Sequence, residues 1–381
     1  MEKYKLLEVQ DIFREKFRLN PSVSIKAPGR INIIGEHTDY NLGYVLPAAI
    51  DYHIYVGMSK NGTRKTNIYS GDFDQRYEFD LDNLSITGIS WLNLVKGVFD
   101  QLKDQVEGVD IVLIGDVPVG AGLSSSAALC SATAMALADL FHLPLGRWTL
   151  ARIAQKSEHI FAGVQCGIMD QFASLFGQKD HVLMLDCNTL DYKPIKVNIE
   201  GSRFFLLDSN VKHQLNESEY NARSNESSQA LKELKRLFPG INNFRDVSLS
   251  DLLGIKEDAI WWKRARHIIS ENNRVLDIVA GLEKDNFQDV GRILFEGHES
   301  LKHDFEITCP ETDFIVQELQ KENMVYGARQ VGGGFGGCVL VFTKDEALNE
   351  MVEQVGMKYK SQFNISLRYL PINFSDGCHR I

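Results

Sequence analysis

Apolar positions recur at helical spacing near the start of the chain: within residues 4–18, Leu6, Val9, Ile12, Phe13 and Phe17 share one side. A short extended segment follows at Ile31, Ile33 and Ile34, and the pattern then turns polar from 35 to 43. Residues 45–57 and 66–81 alternate or run apolar at strand length, with a turn at Lys60-Asn61-Gly62-Thr63 between them. Residues 91–102 read as a helix with Leu94, Val98 and Leu102 on one face, and 109–114 as a strand. Ala, Leu and Met dominate from 127 to 141, which predicts a buried helix. A helix at 149–161 and strands at 181–186 and 204–208 complete a strand-rich first half. Past residue 210 the spacing turns helical, over 220–238, 261–282, 287–303 and 312–322. A strand at 338–342, a helix at 346–363 and a strand at 365–371 follow. The pattern predicts an α+β class with two domains, residues 1–205 and 206–381, meeting at a cleft. The length points the same way, since 381 residues exceed what a single core supports.

Composition removes several classes of partner. A formal net charge of -10, with no run of Lys or Arg, argues against nucleic acid. No window of about 18 apolar residues exists, so no membrane span is expected. The first residues carry acidic side chains and no apolar core, so no signal peptide is expected either. Cysteines 130, 166, 187, 309, 338 and 378 lack CxxC spacing and read as reduced thiols of a cytoplasmic protein.

Three glycine-bearing clusters carry the candidate chemistry. The first, residues 118–128, contains Gly120-Ala121-Gly122-Leu123-Ser124-Ser125-Ser126 between a strand and a helix. Gly120 and Gly122 permit positive φ and close backbone approach, and a helix N-terminus attracts anions, so a polyphosphate fits. A serine-capped helix after a glycine turn accounts for the same residues. The second cluster offers Glu36, His37 and Asp39 in a loop punctuated by Gly29, Gly35 and Gly43, with Arg30 just upstream. Such a set suits a metal, a polyol or a phosphate, and loops held by rigid elements favour binding. The third, Gly332-Gly333-Gly334-Phe335-Gly336-Gly337, formally contains G-x-G-x-x-G. It precedes a strand, the wrong context for a dinucleotide, and instead predicts tight packing on a neighbouring loop. Asp170 stands apart, among small and apolar residues where a bare carboxylate is costly, unless it caps a helix starting at Gln171.

A phosphate-cradling turn, a polyol-like loop and a partly buried Asp together point to phosphoryl transfer to a hydroxyl. Neither G-x-x-x-x-G-K-[ST] nor the protein-kinase motifs occur, so the ATP site belongs to another class. Magnesium needs one or two carboxylates beside phosphate oxygens, which Glu158 and the Ser126 hydroxyl can supply.

The three clusters resemble the three motifs of the small-molecule kinases that act on galactose, homoserine, mevalonate and phosphomevalonate. Residues 29–40, Gly-Arg-Ile-Asn-Ile-Ile-Gly-Glu-His-Thr-Asp-Tyr, look like the signature of that family's galactokinases. Residues 166–171, 209–212, 218–221 and 264–267 are similar to the same group, in order and spacing. The resemblance covers about residues 20–343. It implies a ribosomal-protein-like N-terminal domain, a ferredoxin-like C-terminal domain, and an active site between them. It further implies transfer of the ATP γ-phosphate to the C1 hydroxyl of α-D-galactose; the sequence itself is silent on oligomeric state, and a monomer is the expectation. By position, Asp170 matches the catalytic base and Arg30 its transition-state partner. Glu36, His37, Thr38, Asp39, Gly167 and Tyr220 match sugar contacts, and residues 120–126 the phosphate loop. Ser126 and Glu158 match magnesium ligands, and Ser70 and Trp91 nucleotide contacts. A kinase for a related sugar such as N-acetylgalactosamine, or a non-catalytic sensor of galactose and ATP, fits some of the same motifs. Against the sensor, the Leu123–Ala128 stretch, Asp170 and Arg30 are all present.

Overall fold

The structure, a computed structural model, describes residues 2–118, 120–211, 216–255, 259–346 and 348–381. Val119, Lys212 and Ala347, which fall within segments noted above, lie outside the described residues. The chain begins with helix α1 (Glu2–Phe17), then strands β1 (Val23–Asn32), β2 (Tyr44–Val45), β3 (Pro47–Lys60), β4 (Lys65–Ser70) and β5 (Gln75–Asp80). Helix α2 (Ser90–Leu102), strand β6 (Val109–Gly115) and helices α3 (Ser125–Leu140), α4 (Arg147–Ser157) and α5 (Met169–Phe176) follow. Next are β7 (His181–Asp186), β8 (Tyr192–Lys196) and β9 (Ser202–Asp208). Helices α6 (Asn216–Leu237), α7 (Leu249–Leu253), α8 (Ile260–Leu282), α9 (Phe287–Ser300) and α10 (Pro310–Leu319) form the helical run. The chain ends with β10 (Val325–Gln330), β11 (Cys338–Lys344), α11 (Leu348–Phe363), β12 (Arg368–Pro371) and β13 (His379–Arg380).

Three sheets result, ordered β13-β1-β3-β6-β4-β5, β10-β11-β9-β12 and β2-β7-β8. Helices α2, α3 and α4 pack on the first sheet around Phe99, Leu137 and Leu150. In the second sheet, period-two alternation splits the strands between two cores. Phe204 and Leu206 of β9, with Leu340 and Phe342 of β11, face an interdomain core that also holds Ile31, Ile33 and Val275. Their neighbours Phe205, Leu207, Val339 and Val341 pack on α10 and α11.

Several local expectations are corrected. Residues 66–81 are not one extended run, because a turn at 71–74 folds them into the hairpin β4–β5. The turn at 60–63 does not join partners: β6 lies between β3 and β4, antiparallel to the first and parallel to the second. The near-continuous apolar run of β6 fits that central place, where both faces are covered. Of the extended segment at 31–34, only Ile31 and Asn32 are extended, as the end of a longer strand that is buried along its length, and Ile33 and Ile34 form a bend beyond it. The final strand begins at Arg368 and not at 365, and β8, β10 and β13 were not expected from the pattern. Strand β13 pairs with β1, so the end of the second half returns to the first sheet. Among the described residues, no helix is long and apolar enough to cross a membrane.

Candidate active site

At the first glycine cluster, Gly120 and Gly122 adopt φ of 77° and 78°, and Ser124, the residue before α3, adopts 55°. None of the serines closes a side-chain cap on α3. The Ser124 hydroxyl instead donates to Asp170 Oδ2. Ala121 and Leu123 point inward and are buried in the interdomain core. The loop lies close against β1, where a bulge interrupts the register between Pro28 and Arg30. A side chain at Gly29 would place its Cβ 2.7 Å from the Leu123 carbonyl oxygen, so only glycine permits this approach. The Arg30 N–H then donates to that same oxygen at 3.1 Å.

The bulge aims Arg30 at Asp170. Nε and Nη2 donate to Oδ1 and Oδ2, both at 2.7 Å, and Nη1 donates to the Gly122 carbonyl at 2.6 Å. This is a bidentate, charge-assisted pair, the stronger kind of hydrogen bond. Burial opposes the Arg30 charge, but the Asp170 carboxylate outweighs it and raises the guanidinium above its ordinary value. Helix α5 begins at Met169 behind Ile168, and no side-chain cap bond is present. Asp170 therefore faces Arg30 and Ser124 from inside the first turn, and the capping alternative does not describe it.

Glu158 opens a wider, π-helical turn (Glu158–Ala162) that follows α4 directly, a distortion that often marks functional positions. Ser126 Oγ donates to its Oε2 at 3.1 Å and Gln171 Nε2 to its Oε1 at 2.8 Å. Burial, with the nearby Asp170 charge adding to it, pushes the Glu158 carboxyl up to about 7. A buried carboxylate and a hydroxyl at the head of the phosphate loop form an all-oxygen donor set that suits a hard cation. No cluster of three or more metal-binding side chains occurs among the described residues, so phosphate oxygens would complete such a site.

The polar loop folds over the same centre. Asp39 is buried, its carboxyl pushed up to about 6 by burial first and Asp170 second. Gly167 lies against it so closely that a Cβ there would overlap the Asp39 carboxylate. His37 takes a φ of 62°, and its Nδ1 is 2.8 Å from the Tyr40 hydroxyl. Its ring sits 5.1 Å from that of Tyr220 and 4.7 Å from that of Phe305. Burial, then the neighbouring His267, lowers His37 to about 3, so it is neutral at physiological pH. The Thr38 hydroxyl faces the carbonyls of Gly35 and Tyr44 at 2.8 and 2.6 Å and donates inside the loop. Glu36 forms an ion pair with Arg329 from β10. Tyr220, from α6, lines a cavity of about 190 Å³ with Gly120, Gly122, Val331 and Gly333. The third glycine cluster forms the other side of that cavity, and a Cβ at Gly332 would lie 3.1 Å from the Gly122 carbonyl oxygen.

Ser70 and Trp91 line a separate, mainly apolar cavity of about 520 Å³ that reaches Ser125 and Ser126 at the head of α3. Phe73, half-exposed in the β4–β5 turn, stacks on Trp91 with centroids 6.2 Å apart and planes within 14°. Sequence reasoning missed Phe73, Arg329 and Glu271. Phe73 carried no pattern beyond one aromatic in a polar turn, whereas Arg329 stands directly before the third glycine cluster.

Residues 93–178 match the GHMP kinases N terminal domain and 278–360 the GHMP kinases C terminal domain. Residues 11–60 match the galactokinase galactose-binding signature. A galactokinase of Thermotoga petrophila is 42% identical over 363 residues, covering 94% of this chain and 100% of that one. A galactokinase of Pasteurella multocida is 39% identical, covering 97% of each chain. The structure of Lactococcus lactis galactokinase complexed with galactose superposes with a TM-score of 0.94, at 33% identity, over 99% of this chain and 100% of that one. Methanococcus jannaschii mevalonate kinase, at 17% identity and a TM-score of 0.63 over 93% of this chain and 98% of its own, shares the fold. The chain belongs to the GHMP kinases, ATP-dependent small-molecule kinases of two domains, and within them to the galactokinase family.

Proposed function

We propose that this protein transfers the γ-phosphate of ATP to the C1 hydroxyl of α-D-galactose, giving galactose 1-phosphate and ADP. The observation that carries the reading is the Arg30–Asp170–Ser124 constellation, wedged between the phosphate loop and the polar loop. A sugar hydroxyl is a poor nucleophile at neutral pH, and a carboxylate in hydrogen-bond reach accepts its proton. Arg30 holds that carboxylate in place through its two hydrogen bonds and offsets the charge on the transferring phosphoryl group. Backbone N–H groups at 120–124 and the head of α3 hold the phosphates. Ser126 and Glu158 would hold a magnesium ion, which neutralises phosphate charge when bound. His37, Asp39 and Tyr220 orient the sugar, with Gly167 leaving Asp39 its room. Glu36 and Thr38 act in the same loop by holding its shape. Ser70 and Trp91, with Phe73, enclose the nucleobase.

The expected division at 205/206 would cut through β9, which pairs with β11 along its whole length, so we place the start of the second domain at Ser202, with β13 returning to the first sheet. We take the protein to act as a monomer. Six free thiols fit the cytoplasm, where thiols stay reduced. The deciding assay is ADP release over galactose, N-acetylgalactosamine, glucose and mevalonate, with NMR of the product. Galactose-dependent turnover and phosphate on C1 are expected. Release that ignores galactose, or phosphate on C6, overturns the reading.

A further inference from the structure

The polar loop and the phosphate loop both belong to the first half of the chain, yet one segment of the second half grips both. Arg329 lies near the end of β10, three residues before Gly332 of the third glycine cluster, and is fully buried. Its Nη1 donates to the Ile33 carbonyl at 3.2 Å. Its Nη2 forms ion pairs with Glu36 and, at 3.1 Å, with Glu271 Oε1. Glu271, on α8, accepts the N–H groups of Gly35 and Glu36 at 3.0 and 3.2 Å, while Arg274 Nε holds its other oxygen at 2.7 Å. His267, one turn earlier on α8, meets the Glu36 carbonyl through Nε2 at 3.1 Å. Just past Arg329, Gly332 and Gly337 lie against the Gly122 and Ala121 carbonyls, as Cβ distances of 3.1 and 3.4 Å indicate.

Buried ionic networks are poor sources of net stability, since desolvation offsets most of the attraction, and apolar side chains hold domains together at least as well. What this network supplies is geometry. A planar guanidinium spreads its donors over three nitrogens in a fixed plane and so holds a carbonyl and two carboxylates in set directions, whereas an ammonium offers its three donors from a single freely turning atom. We infer that Arg329 is a positioning residue that ties the polar loop, through Glu36 and Glu271, to the strand seating the phosphate loop. It thereby fixes the spacing between acceptor hydroxyl and phosphoryl donor. The inference rests on the sugar-kinase reading above for what is being spaced, but not for the tie itself.

The test uses Arg329→Met and Arg329→Lys in the full chain, with three readouts: steady-state kinetics, ATP affinity by calorimetry, and amide exchange over 33–39 and 120–124. A misplacement near 1 Å costs about 10² in rate, so Arg329→Met should lose kcat on that order while ATP affinity stays within about twofold. Arg329→Lys should fall between it and the parent, and both variants should exchange faster at 33–39. A folded Arg329→Met with kcat and KM near those of the parent overturns the inference. So does a uniform rise in exchange accompanied by equal losses of ATP affinity and rate, which marks general loosening. If Arg329→Met does not fold, Arg329→Lys decides alone: a lowered kcat with intact ATP affinity supports the tie, and parental values refute it. A parent enzyme inactive on galactose removes the proposed function. The exchange measurement needs no sugar, and unchanged protection at 33–39 in Arg329→Lys then refutes the tie independently.

Discussion

Replacing Asp170 by Asn separates chemistry from packing. The carboxylate accepts three hydrogen bonds, two from Arg30 and one from Ser124. An amide of the same shape offers one oxygen and sets an NH₂ against a donor. Arg30 side-chain exposure is 6%, so it would be left charged and buried with only the single amide oxygen and the Gly122 carbonyl at 2.6 Å as acceptors. Breaking a wholly buried pair costs about 3–5 kcal/mol. The 22% exposure of the Asp170 side chain and the surviving Gly122 contact reduce this to about 1.5–3 kcal/mol, the range for a hydrogen bond to a charged group. Turnover should fall further than stability, by about 10²–10⁴ for loss of a general base. The double variant Arg30→Met with Asp170→Asn removes the stranded charge. It should regain much of the melting temperature while recovering no rate. Thermal unfolding and ADP release on the parent, the two single variants and the double variant make the comparison. Near-parental turnover in Asp170→Asn, or additive destabilisation in the double variant, refutes both the catalytic role and the charge argument.

Gly122→Val should weaken ATP binding strongly in calorimetry while galactose affinity barely changes, because a branched residue resists a φ of 78° at the phosphate loop. Phe73→Ala should weaken ATP by about 5- to 150-fold if the ring stacks on the base, since such stacking contributes about 1–3 kcal/mol, and titration with ATP alone reads it. His37 lies at about 3 in the fold, lowered by burial and then His267, against 6.5 when free, so the unfolded chain binds the extra proton. Its contribution is fully present above pH ~6.5 and is lost as pH falls towards 3. Glu36, Glu158 and Asp39, all raised chiefly by burial, act in the opposite sense as pH rises from about 4 to 7. The parent minus His37→Asn difference in denaturant stability isolates the His37 part, and it should shrink on acidification. A difference flat from pH 8 to 4 would contradict a buried neutral imidazole.

The candidate site was legible where chemistry is written locally. Gly120 and Gly122 needed positive φ, and the head of α3 needed no knowledge of its partners. Asp170 was recognisable as a carboxylate out of place, although its partner Arg30 lies far away in sequence. Partnerships across the domain interface were not legible. Arg329 and Glu271 look like ordinary strand and helix charges until the folded chain buries them against Glu36. Strand β10 escaped for a related reason. Gly327 weakens its strand signal, and a Cβ there would overlap the backbone of Gly291 on α9, so helix packing sets the residue there. The insertion of β6 between β3 and β4 likewise follows from which faces are covered, and two adjacent apolar runs joined by a turn look the same either way.

The pairing of β13 with β1 has a consequence for how the molecule is made. Ile25 and Lys26 wait for Arg380 and His379, the last strand of the described chain to leave the ribosome. Until then the outer edge of β1, the strand that ends by presenting Arg30, stands open throughout synthesis of the other half. An open edge invites pairing with foreign strands, so the nascent first domain passes through a period of exposure that the finished protein never shows. Sealing that edge is a late event in vectorial folding, and a neighbouring nascent chain that supplied its own β13 first would yield a strand-exchanged pair.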